Sequence, residues 1–117
     1  MDSPVENFFA RYAEALLARD ADAVAELYAV PALIAFPGRS IAVSEREQTR
    51  DFFAANWAGY TGVTEADPEA SVIARADHSV WVDVTWSYAG QPRERYVYQL
   101  LNGPSGWQIG VLTPLEL

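Results

Sequence analysis

VWVDVTWSYAG, Val80 to Gly90, carries the plainest structural signal in the chain. Val80, Val82, Val84, Trp86 and Tyr88 alternate with Trp81, Asp83, Thr85 and Ser87, a period of two. β-Branched and aromatic residues suit a pleated, half-buried surface, and alternation sends them to opposite sides of a sheet. The even-numbered side, apolar throughout, is the core side. After the break at AGQP a second run spans Arg93 to Leu101, and the turn signal NGPSG separates it from a third, Trp107 to Thr113. Ser71 to Ala76 supplies a strand before Val80, joined to it by a turn over Ala76 to Ser79. The C-terminal half therefore reads as an antiparallel meander.

Upstream the period is helical. Ser3, Pro4 and Glu6 give a capping hydroxyl, a first-turn proline and a capping-box acid, so a helix begins near Pro4. Val5, Phe8, Phe9, Tyr12, Leu16 and Leu17 form its apolar stripe. Asp20 caps a second helix from Ala21 to about Ala29, which buries Val24, Leu27 and Tyr28 and is ended by Pro31. Ala32 to Phe36 reads as a short buried strand closed by Pro37 and Gly38. Ser44 with Glu47 repeats the capping box and opens a third helix, Glu45 to about Ala58, with Phe52, Phe53 and Trp57 on its apolar side.

Composition narrows the function classes. With 117 residues, 50% of them hydrophobic and 21% charged, the chain suits one globular domain, residues 1–117. All eight basic residues are arginine, and sixteen acids leave a net charge of -8, which argues against nucleic acid and anionic membrane as partners. No run reaches the ~18 apolar residues of a membrane span, and MDSPVENFF lacks the basic and apolar parts of a signal peptide. A cytoplasmic location is the expectation. With no cysteine and one histidine, His78, neither a thiol nucleophile nor the usual three-histidine zinc site can be assembled, so no metal and no cofactor are expected.

Helices first, a short strand between the second and third, then a long meander: this order resembles the nuclear transport factor 2-like fold. The resemblance is carried by RYAEALLARDADAVAELYAVPALIAFPG (Arg11 to Gly38), REQTRDFFAANW (Arg46 to Trp57) and VWVDVTWSYAG, and covers nearly the whole chain. Ketosteroid isomerase, the SnoaL-like polyketide cyclases and scytalone dehydratase share that fold, which hosts many activities. The resemblance implies an α+β architecture in which three N-terminal helices pack on the concave face of a curved, mainly antiparallel sheet, a cone-shaped α+β barrel. It also implies a cavity lined by Tyr12, Leu16, Phe36, Phe52, Trp57, Val82, Val84 and Trp86, with Val111 and Thr113 on the last strand. Such a pocket binds small hydrophobic molecules.

Chemistry of the isomerase type needs a carboxylate base and an oxyanion hole made by a tyrosine and a protonated aspartic acid. Tyr12 matches the tyrosine, but the position of the base is Phe36 and that of the second donor falls near Val97 to Tyr98. A phenyl ring accepts no proton, so no catalytic acid or base is assigned, and Tyr12 stands as the single weak candidate, a hydrogen-bond donor. The cyclases and the dehydratase rely on pocket histidine and aspartate. Here His78 lies in a turn and Asp83 on the outer face of its strand. If Asp83, Asp51 or His78 pointed into the pocket near Tyr12, the enzyme reading would lead.

The strand Arg93 to Leu101 has two registers. A turn of two or four residues pairs Val84 with Val97 and brings Val97 and Gln99 inward, whereas a three-residue turn brings Tyr96 and Tyr98 inward. Either Gln99 or Tyr98 then faces Tyr12, and alignment with the family favours Gln99. On the outer face, Trp81 beside Tyr96 or Tyr98 suggests the homodimer that the resemblance implies. The expected function is binding of a small hydrophobic ligand. The alternatives are an isomerase, cyclase or dehydratase acting on an apolar carbonyl compound with Tyr12 as donor, and a dimeric interaction module with a collapsed pocket, below about 300 Å³.

Overall fold

Aromatic and aliphatic residues three and four positions apart make Pro4–Leu17 a helix (α1), whose buried stripe runs through Val5, Phe8, Phe9, Tyr12 and Leu16. The structure, a computed structural model, describes residues 4–117; the capping role expected of Ser3 lies outside them. A short helix α2 (Ala21–Glu26) follows, its first turn capped by Asp20, which accepts from the Ala23 N–H at 3.1 Å. Strands β1 (Tyr28–Phe36) and β2 (Arg39–Val43) form a hairpin over Pro37 and Gly38, before α3 (Arg46–Ala55) and a 3-10 turn over Trp57–Tyr60. The meander is β3 (Asp67–Arg75), β4 (Ser79–Tyr88), β5 (Gln91–Gly103) and β6 (Gly106–Leu115).

The six strands make one curved, open sheet in the order β2-β1-β6-β5-β4-β3. All neighbours are antiparallel except β1 and β6, which run parallel. The fold is thus α+β. Helical residues such as Phe9, Tyr12 and Phe53 bury themselves against the sheet face that carries Val82, Val84, Trp86, Tyr98, Leu100 and Ile109. The even side of β4 is indeed the core side, with Val80, Val82, Val84 and Trp86 each no more than 2% exposed.

Register is where expectation and structure part. Tyr88 pairs with Gln91 across a two-residue turn, Ala89 and Gly90, both with left-handed φ of 54° and 79°. Such a turn matches the strand twist. By itself it would turn Val97 and Gln99 inward. Between Trp86↔Glu94 and Ser87↔Pro92, however, Arg93 is an extra residue with no partner, a β-bulge that shifts the register by one. Val84 therefore faces Tyr96 and Val82 faces Tyr98, so the tyrosines point to the core. The expectation for Gln99 is corrected: it pairs with Trp81 on the outer face and donates to Ser79 Oγ at 3.0 Å. A second bulge, at Gly110, lies between Gln99↔Val111 and Leu100↔Ile109. There a Cβ would come within 2.5 Å of the Leu101 side chain, which excludes larger residues unless that chain shifts. It leaves Leu112 on the inner face and puts Val111 and Thr113, both expected to line the pocket, on the outer one.

Several boundaries also differ. The second helix stops at Glu26, and Tyr28 opens β1, paired with Ile109 before the ladder breaks and resumes at Leu33↔Val111. Pro31 sits in that break, because it has no N–H to give a ladder; it interrupts a strand and does not end a helix. β2 had no expected counterpart, and β3 begins four residues ahead of Ser71, at Asp67. The third helix is capped one residue later than expected. Gln48 Oε1 accepts from the backbone N–H groups of Ser44 and Glu45 at 2.6 and 2.9 Å, in place of the Ser44 and Glu47 pairing.

Candidate functional site

α1 brings Tyr12 and Leu16 to the open end of the sheet, α3 brings Phe52 and Phe53, and the 3-10 turn adds Tyr60. Phe36 ends β1, while Trp86, Tyr88, Glu94, Tyr96 and Tyr98 come from β4 and β5. Together they enclose a cavity of about 380 Å³. Of the residues expected to line it, Tyr12, Leu16, Phe36, Phe52 and Trp86 stand on its wall. Trp57 is one layer back, its ring 6.3 Å from Phe53 and 5.8 Å from Tyr60. Val82 and Val84 are sealed in the core, and Gln99, Val111 and Thr113 face outward.

Sequence reasoning missed Tyr60, Tyr88 and Glu94 in the polar part of the wall and had Tyr96 and Tyr98 there only in the alternative register of their strand. Tyr60, Tyr88, Glu94 and Tyr96 all lie on the wall, the last two because of the Arg93 bulge. Pro92, which cannot donate to a central ladder, was the available signal for a bulge there. All six tyrosines of the chain belong to this one cluster; Tyr28, off the wall, is tied to it through Tyr12.

At the deep end, the Tyr12 and Tyr28 hydroxyls are 2.6 Å apart, and the Trp86 indole N–H donates to the Tyr98 oxygen at 2.9 Å. The Tyr12–Tyr28 bond uses only one of two phenol protons, and Tyr98 serves Trp86 as an acceptor. Burial is the first cause that raises the pKa of all three phenols well above the ordinary value, and neighbouring phenols add to it. They remain neutral O–H groups at neutral pH, and those of Tyr12 and Tyr98 stand on the cavity wall.

At the mouth, Tyr88 donates its O–H to Glu94 Oε2 at 2.6 Å. Burial, followed by the negative charge of Glu94, pushes the Tyr60 phenol up to about 12. Tyr88 and Tyr96 are raised as well, again by burial first. The Arg39 guanidinium lies over the Phe52 ring, 5.4 Å from its centroid. A second arginine fastens the wall: Arg19, with φ 54°, donates to the carbonyls of Leu16 and Leu17 in α1 and of Tyr60 and Val63 beyond it.

The groups whose presence in the cavity would have favoured catalysis are elsewhere. Asp83 is held by Arg95 on the outer face, with Nε to Oδ1 at 3.0 Å, and this bond is the first cause that lowers its pKa. Asp51 is exposed and paired with Arg50, and His78 is exposed in its turn. Phe36, at the place of the isomerase base, packs tilted against Phe52 and edge-to-face against Tyr96, with ring centroids 5.7 and 6.1 Å apart. Among the described residues no group of three or more His, Cys, Asp or Glu is arranged to hold a metal ion, and no helix is long and apolar enough to cross a membrane.

Residues 2–116 match a family model described as NTF2-like protein (DUF6841). The chain belongs to this NTF2-like family. No curated protein matches it. Among solved structures, an NTF2-like protein of unknown function from Shewanella oneidensis superposes with a TM-score of 0.75 at 12% identity, covering 96% of each chain. A domain of unknown function with a cystatin-like fold from Nostoc punctiforme gives 0.70 at 16% identity, over 97% of this chain and 75% of the other. A de novo designed protein with a curved β-sheet gives 0.67 at 11% identity, over 96% and 99%. A designed sequence attains the same shape, so these likenesses speak for the fold and not for a function.

Proposed function

We propose that this NTF2-like chain binds a small, largely apolar molecule in the aromatic cavity, against Tyr12, Leu16, Phe36, Phe52 and Trp86. The phenols of Tyr12 and Tyr98 donate to an oxygen on the ligand. The observation that carries the reading is a space of about 380 Å³ walled by rings, within the range of about 300–1,000 Å³ typical of ligand sites. It exceeds the size expected of a collapsed pocket and weighs against a pure interaction module. With Phe36 in place of a base, the proposal is binding without proton abstraction at that position.

A thermal-shift screen of hydrophobic carbonyl compounds against the wild type and Tyr12→Phe tests it. A ligand at 100 times its Kd raises stability by about 2.7 kcal/mol. The variant should lose part of the shift given by carbonyl compounds and keep that given by their hydrocarbon analogues. A broad panel without any shift would refute the reading.

A second reading draws on one observation, that Glu94 is the single carboxylate on the cavity wall. It is isomerase, cyclase or dehydratase chemistry on an apolar carbonyl compound, with Tyr12 as donor. Turnover of such a compound, abolished in Glu94→Gln, would favour it over binding alone.

The proposal includes a homodimer through the outer sheet face, and the cytoplasmic location expected from the sequence. Leu33, Trp81 and Leu115 are 41%, 36% and 37% exposed on that face, beside Val97 and Val111. Tyr96 and Tyr98, turned inward, take no part in it. Sedimentation of the wild type against Trp81→Glu checks this: a dimer that the variant splits is the expected result, and a wild-type monomer would overturn it.

A further inference from the structure

Glu94 is an unusual residue to find on this wall. It is half-buried, lies among the rings of Trp86, Tyr88 and Tyr96, accepts a hydrogen bond from Tyr88 to Oε2, and has the Tyr96 phenol as a second hydrogen-bonding neighbour. An ionised carboxylate can accept about four. The ion pairs among the described residues join Arg46 to Asp22 and Glu26, Arg50 to Asp51 and Arg95 to Asp83, and none of them includes Glu94. Arg39, the cation on the cavity wall, lies over Phe52, and Arg93 shares an adjoining depression with Glu94 without bonding to it. The chain has no lysine, so no lysine ammonium of its own competes for the site.

A carboxylate with spare acceptor sites, set among ring faces that carry negative quadrupoles, is the arrangement that selects a cation bearing N–H groups. The remaining wall, from Phe36, Phe52 and Leu112, suits an apolar body. The net charge of -8 adds a long-range attraction of the same sign. We infer that the ligand of this cavity is a small aromatic or aliphatic amine, whose ammonium donates to Glu94 while its apolar body lies against Phe36, Phe52 and Trp86. This deepens the pocket reading above and rests on it.

Calorimetric titration at neutral pH with phenethylamine, neutral phenethyl alcohol and anionic hydrocinnamate tests the inference on the wild type, Glu94→Gln and Glu14→Gln. Glu14 is exposed on α1 and off the cavity, so its variant removes the same charge without touching the wall. The wild type should prefer the amine to the alcohol by about tenfold or more, the difference a charge-assisted hydrogen bond makes. Glu94→Gln should lose that preference and keep the affinity for the alcohol, and Glu14→Gln should keep both. The wild-type comparison needs no variant to fold. Equal binding of amine and alcohol, or a preference that survives in Glu94→Gln, would overturn the amine assignment and leave the apolar pocket standing. A preference for hydrocinnamate removed by Arg39→Gln would overturn it in favour of an anion. If none of the three binds, the amine assignment falls, and the pocket reading is decided by the broad panel above.

Discussion

The Trp86 indole donates to the Tyr98 hydroxyl at 2.9 Å across β4 and β5, and this bond exists because Arg93 is bulged out of register. Both residues are almost wholly buried, at 1% exposure each, so neither can turn to water for a substitute partner. Tyr98→Phe should leave the indole N–H unsatisfied and cost about 1–3 kcal/mol. Urea unfolding followed by tryptophan fluorescence measures it. A neutral substitution would mean that the bond contributes nothing net to the fold.

The bulge itself can be tested by removing its extra residue. Deleting Arg93 joins Ser87↔Pro92 directly to Trp86↔Glu94 and leaves Val84↔Tyr96 and Val82↔Tyr98 in a regular ladder, so the core should survive with a loss of about 1 kcal/mol. Deleting Val97, which is paired with Asp83, instead buries Gln99 and exposes Tyr98 or breaks the ladder, with an expected loss of at least about 4 kcal/mol. Near-UV circular dichroism and the unfolding midpoint distinguish the two deletions. A loss for the Arg93 deletion as large as that for the Val97 deletion would count against a register set by the bulge.

Arg19 ties the segment after α3 to the end of α1 through hydrogen bonds from one planar guanidinium to four carbonyls. An ammonium cannot reproduce that fork. Arg19→Lys should lower stability by about 1–3 kcal/mol and speed amide exchange between Tyr60 and Val63, while β4 and β5 stay protected. Uniform loss of protection over the whole chain would show that the bonds act globally and not on this segment.

Alkaline titration reads the tyrosine cluster directly. All six phenols have folded values above the ordinary 10.0, with Tyr60, at about 12, raised least among those with a resolved value. Because the charged form is the disfavoured one, their contribution to stability is complete below the unfolded value and is lost as pH rises above it. Absorbance of tyrosinate should therefore stay flat in the native protein past pH 10 and rise steeply on unfolding, whereas in denaturant all six should titrate near pH 10. A phenol that ionises near pH 10 in the folded chain would contradict the burial of the cluster.

Much of the molecule was legible because its signals are local. The Val80 to Tyr88 alternation named the core face of β4, and the helical spacing of Phe9, Tyr12 and Leu16 named the stripe that meets it. Tyr12, Phe36, Phe52 and Trp86 were placed at the cavity by the family resemblance that these elements carry. Gln99, Val111 and Thr113 were misplaced together and for one reason: each lies on a strand whose register an unpaired residue shifts, Arg93 or Gly110. Tyr28 was misread because Asp20 makes a good helix start and nothing nearby shows that pairing with Ile109 draws the chain into a strand so soon.

What the sequence determined by itself is most of the elements, their order and the apolar faces of α1, α3 and β4, since hydrophobic period, capping residues and turn residues act over a few positions. What only the tertiary structure decided is which side of β5 looks into the cavity. A bulge is a property of two strands paired across space, and one unpaired residue exchanges every side chain beyond it between core and surface. That exchange took Gln99 out of the site and brought Tyr98, Tyr96 and Glu94 into it.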